Sequence, residues 1–153
     1  MGAVTVDGDR DHRWLAAAIE LSESCPPSRT AFSVGAYVVD ADDTVLATGY
    51  SREGDPVVHA EEVALLKLPG VDLAGATVYS SLEPCSQRAS RPVSCARLIL
   101  RAGVGRVVFG WREPAIFTDC DGAEILRTGG VDVMEIPELA AAVRLINAHL
   151  MPS

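Results

Sequence analysis

The sequence predicts an α/β fold: a mixed five-stranded sheet, covered by helices on both faces, in three layers. Three observations carry this. Short β-branched stretches alternate with stretches whose apolar residues recur at helical spacing, the pattern of a sheet with helices packed on it. The first two strand-like stretches are separated only by Asp40-Ala41-Asp42-Asp43, an acidic turn that makes them an antiparallel hairpin. The last two are separated by a helix-length segment, and a crossover of that length lets them run parallel.

Residues 1–12 carry Asp7, Asp9, Arg10, Asp11 and His12 with no apolar block, and read as a frayed segment ahead of one domain over 13–153. A helix is expected from Trp14, with Trp14, Ala17, Ala18 and Leu21 on one face, stopping near Ser24 because Pro26 and Pro27 cannot continue it. Strands follow at 34–39 and 44–49, then a charged loop over 51–58 that holds Gly54 and Pro56. The next helix begins around His59 and ends before Pro69-Gly70; the strand after it, at 76–81, delivers Leu82-Glu83-Pro84-Cys85. Residues 95–102 form a helix closed by Gly103, and 104–110 is a near-continuous apolar strand of the kind buried on both faces. A helix at 122–128, a strand at 131–136 and a last helix opened by Pro137 complete the chain, with Leu139, Val143, Ile146 and Leu150 facing inward.

Composition narrows the function. At 153 residues and 48% apolar content the chain is long enough for one substantial core. Its mean hydropathy of +0.20 is that of a globular protein. No apolar run approaches the roughly 18–20 residues that cross a bilayer, and the amino end lacks a secretory pattern, so a cytoplasmic protein is expected. A net charge of −8 argues against a nucleic-acid partner but leaves room for a small phosphorylated substrate, which needs only one or two arginines such as Arg88 or Arg91. Four cysteines in a reducing compartment read as metal-bound or free; Cys25 and Cys120 have no ligand-like neighbours.

The chemistry lies in His59-Ala60-Glu61, Pro84-Cys85 and Cys95. One imidazole and two thiols, each near a helix start, form the ligand set of a catalytic zinc, which keeps a fourth position for water. Helix amino ends favour the thiolates that zinc requires. Glu61 stands two residues from His59, too close to ligate the same ion comfortably, and is placed to take a proton from water and pass it to a departing amine. Glu62 lies about 100° further round the helix and reads as solvated. Gly103-Val104-Gly105 precedes a strand and is no dinucleotide fingerprint.

With these motifs, Ser33-Val34-Gly35-Ala36, Gly75-Ala76-Thr77-Val78-Tyr79 and Leu82-Glu83-Pro84-Cys85-Ser86 resemble the cytidine deaminase superfamily. Nucleobase deaminases of that kind carry H-x-E followed by P-C-x-x-C, whereas nine residues separate Cys85 from Cys95. The chain is most similar to the pyrimidine deaminase domain of riboflavin biosynthesis, whose loop between the cysteines is also long. The resemblance implies a cytidine-deaminase-like fold with its last two strands parallel, zinc on His59, Cys85 and Cys95, and Glu61 as proton shuttle. It further implies a small aminopyrimidine substrate and a homodimer.

The departures fall among the substrate contacts. An asparagine before Val-Gly in the riboflavin enzymes is replaced by Ala31-Phe32-Ser33, where Phe32 offers a ring for stacking. A histidine ahead of the metal histidine corresponds to Ser51 or Arg52, one after the first cysteine to Gln87, and a basic residue to Arg91 or Arg88. Ser81 and Glu83, beside the first cysteine, complete the candidate contacts. The resemblance thus points to deamination of an aminopyrimidine nucleoside or nucleotide, by a chain that ends where a reductase domain would begin and so acts as a deaminase alone. Deamination of cytidine, deoxycytidylate or a free base such as cytosine or guanine is the alternative; a non-catalytic zinc-binding module is the reading from another class.

Overall fold

A computed structural model of the chain describes residues 6–85, 93–112 and 121–150. In order these form α1 (Val6–Ser22), β1 (Gly35–Val39), β2 (Val45–Tyr50), α2 (Ala60–Leu66), β3 (Thr77–Leu82), α3 (Cys95–Ala102), β4 (Arg106–Trp111), α4 (Gly122–Thr128) and β5 (Asp132–Glu135). A 3-10 turn (Pro137–Leu139), α5 (Ala140–Ile146) and a second 3-10 turn (Ala148–Leu150) follow. The strands make one sheet in the order β2-β1-β3-β4-β5. β1 is antiparallel to both β2 and β3, whereas β3, β4 and β5 run parallel. The expected fold class is the observed one, including the parallel last pair.

Strand alternation sends neighbouring residues to opposite faces, and two cores result. Tyr79 and Val108 face Leu15 and Ala18 of α1 and Val143 of α5. Val78 and Val107 face Ala64 of α2, Ile99 of α3 and Leu126 of α4. The helices approach the sheet closely at two glycines. A Cβ on Gly35 would stand 2.0 Å from the Ala18 carbonyl oxygen, and one on Gly49 would stand 2.3 Å from that of Ala60. No helix among the described residues is long and apolar enough to cross a membrane.

Three expectations are corrected. First, α1 begins at Val6, so residues 6–12 are helical rather than frayed. Second, its inward face is Asp11, Leu15, Ala18, Ile19 and Ser22; of the expected stripe Trp14, Ala17, Ala18 and Leu21 only Ala18 is fully buried. Both follow from Asp11, which reads as a solvated charge yet is buried, accepting bonds from the Tyr79 hydroxyl at 2.7 Å and from Arg106 at 2.7 and 2.5 Å. Trp14 instead covers Tyr37 and donates its indole N–H to Asp43 at 2.5 Å. Third, the last helix is broken into a short α-helix between two 3-10 turns.

Candidate active site

The candidate residues sit where β3 ends and α2 and α3 begin. His59 is the extended N-cap of α2 (φ −96, ψ 158), and its backbone N–H donates to Glu62 Oε1 at 3.2 Å. Glu62 is therefore a half-buried helix-capping residue, not the solvated one its position suggested. Ala60 and Glu61 are buried behind it because Gly49 lets α2 sink onto β2.

Beyond β3 the chain enters Glu83-Pro84-Cys85. The Glu83 N–H donates to the Trp111 carbonyl at 2.9 Å, extending the β3–β4 ladder by one bond. The Glu83 carboxylate is buried; it accepts the Ala123 N–H at 3.0 Å and lies 3.6 Å from Arg112. The first residue of α3 is Cys95, and Ser94 caps that helix by accepting the Arg97 N–H at 3.3 Å. The start of α3 grips Cys85 twice: the Cys95 N–H donates to Cys85 Sγ at 3.2 Å, and the Ala96 N–H to the Cys85 carbonyl at 3.0 Å.

These elements bring the three predicted ligands together. His59 Nδ1 lies 3.6 Å from Cys85 Sγ and 3.3 Å from Cys95 Sγ, and the three donor atoms all fall within 4.8 Å of one another. A tetrahedral zinc with bonds of about 2.05 Å to nitrogen and 2.3 Å to sulfur separates those donors by about 3.6 Å. The donor set fits zinc in type and in spacing. A hydrogen bond from Cys95 holds the Cys85 thiol down at about 4, against the push of burial, and His59 lowers it further. Cys85 is thus a thiolate at neutral pH, the form a metal binds.

Glu61 is 3% exposed. Burial pushes its carboxyl up to about 7, and the Cys85 charge adds to that. His59, a backbone N–H and the Ser80 hydroxyl oppose the shift. A carboxyl poised near neutrality both takes and gives a proton at working pH.

Among the described residues, the candidate substrate contacts are engaged within the protein. The Phe32 ring is buried, edge-on to Trp111 with ring centres 5.9 Å apart. The Ser51 hydroxyl accepts the Val34 N–H at 2.9 Å, and the Ser81 hydroxyl accepts the Gly35 N–H at 3.1 Å. Arg52, in the left-handed region at φ 64, donates to the Pro26 carbonyl at 2.9 and 2.7 Å, the Phe32 carbonyl at 3.2 Å and Ser33 Oγ at 2.9 Å. Gln87, Arg88 and Arg91 lie outside the described residues, as does Cys120. The sequence reading missed Asn147, which reaches from the end of α5 to the Ser33 backbone. The signal that marks it is its spacing, four residues beyond Val143 on the inward face.

Residues 8–111 match the family described as the cytidine and deoxycytidylate deaminase zinc-binding region. The chain belongs to this deaminase family. It is 41% identical over 126 residues to a diaminohydroxyphosphoribosylamino-pyrimidine deaminase of Schizosaccharomyces pombe, covering 80% of this chain and 31% of that protein. It is 35% identical over 146 residues to the riboflavin biosynthesis protein RibD of Escherichia coli, covering 92% of this chain and 38% of the relative. Among solved structures it resembles the Thermotoga maritima diaminohydroxyphosphoribosylaminopyrimidine deaminase/5-amino-6-(5-phosphoribosylamino)uracil reductase. The TM-score is 0.74 at 31% identity, over 90% of this chain and 39% of the other. The chain spans about a third of the length of these relatives. The stretch matched to the deaminase family holds His59, Glu61, Cys85 and Cys95 but stops before α4, β5 and α5.

Proposed function

We propose that the protein is a zinc-dependent hydrolytic deaminase of an aminopyrimidine-type nucleoside or nucleotide. The observation that carries this is the convergence of half-buried His59 with the buried Cys85 and Cys95, and the buried Glu61 carboxyl two residues from one of these ligands. When bound, zinc supplies the Lewis acidity that makes water nucleophilic near neutral pH. The residues do the rest. The Glu61 carboxylate takes a proton from the attacking water, and its acid form returns that proton to the amine nitrogen as the carbon–nitrogen bond breaks. One water is consumed: one of its protons leaves with the amine as ammonia, the other ends on the adjacent ring nitrogen, and N=C–NH2 becomes HN–C=O.

The names of the relatives support a riboflavin-pathway aminopyrimidine, with Arg88 or Arg91 on a phosphate and Gln87 on the ring. The internal engagement of Ser33, Ser51 and Arg52 favours a second substrate class, cytidine, deoxycytidylate or a free base, because Ser51 and Arg52 are committed to backbone groups and the Ser33 hydroxyl to the Arg52 guanidinium. Ammonia release from a panel of amino-bases, nucleosides and monophosphates separates the two. A strict need for a 5′-phosphate on a diaminopyrimidine supports the first, and turnover of cytosine derivatives supports the second. A zinc-loaded protein that releases ammonia from none of them is a binding module. We further propose a homodimer, tested by light scattering at low concentration, and a cytoplasmic setting.

A further inference from the structure

Ser33 and Asn147 lie 114 residues apart and are joined through both main-chain groups of Ser33. Asn147 Oδ1 accepts the Ser33 N–H at 2.7 Å, while Nδ2 donates to the Ser33 carbonyl at 3.2 Å and to the Val143 carbonyl at 3.1 Å. The carboxamide is fully buried. Strand pairing of β1 begins only at Gly35, so the sheet does not hold Ser33, and Asn147 supplies the two bonds that a neighbouring strand would have made.

Residues 32–35 enter the sheet at the end where β3 hands over to Pro84-Cys85, because β1 is antiparallel to β3. Every residue of this entry is tied. The Phe32 ring meets Trp111, whose carbonyl accepts the Glu83 N–H. Ser33 is held by Asn147 and Arg52, Val34 by Ser51, and Gly35 by Ser81. We propose that Asn147 is a positioning residue for the substrate: it clips the Phe32–Ser33 backbone to the C-terminal helix and so holds the entry to β1 beside the strand end that leads to Cys85. The inference rests on the deaminase reading above. Neither the His-x-Glu and Pro-Cys motifs nor the matched stretch, which ends at residue 111, assigns this asparagine a role.

The clip acts on substrate binding and leaves the metal alone, because no ligand is bonded to Asn147. Asn147→Asp keeps the acceptor and turns a lone pair toward the Ser33 and Val143 carbonyls; Asn147→Ala removes all three bonds. With the best substrate of the panel, each variant is expected to raise KM about tenfold and leave kcat within about twofold. Zinc content and the ligand-field spectrum of the cobalt-loaded protein stay unchanged. Amide exchange in the unsubstituted protein needs no variant: Ser33 should be protected as strongly as the β1 amides. Unchanged KM in a variant that merely melts earlier overturns the proposal, as does a fast-exchanging Ser33 amide. Absence of turnover by the unsubstituted, zinc-loaded protein is a separate failure, which removes the deaminase reading and this inference with it.

Discussion

Pro84 and Gly122 meet backbone to backbone: a Cβ on Gly122 would lie 1.8 Å from the Pro84 carbonyl oxygen. The next residue, Ala123, donates its N–H to Glu83 at 3.0 Å, so the start of α4 is pressed onto the segment that presents Cys85. Gly122→Ala must push the two apart. We expect about 3 kcal/mol of lost stability, with a weakened zinc site because the cysteine moves with its strand. Thermal melting and chelator competition measure the two effects, and a variant with normal melting and normal zinc affinity contradicts the contact.

Glu61→Gln preserves shape and hydrogen bonding but cannot carry a proton. Ammonia release should fall by about a thousandfold or more, while zinc stays stoichiometric. Metal analysis beside a coupled ammonia assay reads both, and a variant that loses its zinc disproves the division between ligand and proton carrier.

Removing the metal should loosen the whole domain, because His59, Cys85 and Cys95 come from three separate chain segments. Free zinc at a hundredfold over its dissociation constant contributes about 2.7 kcal/mol. Melting temperature should drop on chelation and recover on adding zinc back, together with activity. A melting curve indifferent to chelator speaks against the site.

Acid stability should depend on Asp43, at the turn between β1 and β2. Its hydrogen bonds from Trp14, then from Arg10 and Arg13, hold its carboxyl below the ordinary value. A carboxylate lowered on folding contributes stability that is complete above its unfolded value, about 3.9, and lost as pH falls toward the folded one. Asp43→Asn, which tolerates the left-handed φ of 69, should therefore lower the melting temperature near neutrality and flatten its decline below about pH 4. Superimposable melting-temperature profiles in the two proteins count against this.

Asp11→Ala leaves half-buried Arg106 with only the exposed Asp132 carboxylate at 3.5 Å and the Tyr79 hydroxyl without its acceptor. A loss of about 3 kcal/mol is expected, read by urea unfolding. A change below about 1 kcal/mol places the network among interactions that water replaces freely.

The metal triad was legible because its signal is local: His59, Cys85 and Cys95 each stand beside a helix start or strand end that neighbouring residues announce. Helices α3 and α4 run over the expected residues, and α3 is bounded by the Ser94 cap and by Gly103 in the left-handed region at φ 76. Asp11 and Asn147 were not legible, since what buries them comes from Arg106 and Ser33, 95 and 114 residues away. Ser51 and Arg52 are candidates by the family resemblance alone. Their bonds to Val34, Pro26, Phe32 and Ser33 depend on a loop path that no periodicity describes.

Gly35 and Gly49 act as notches cut in the sheet, into which the backbones of α1 and α2 settle. A methyl group at residue 49 would stand 2.3 Å from the Ala60 carbonyl oxygen and must lift the first turn of α2, taking His59 and Glu61 with it. Where that turn sits is therefore dictated by the absence of a single carbon on the far edge strand. Tolerance scans should find residue 49 as intolerant as the ligands themselves, although it offers the ion no atom.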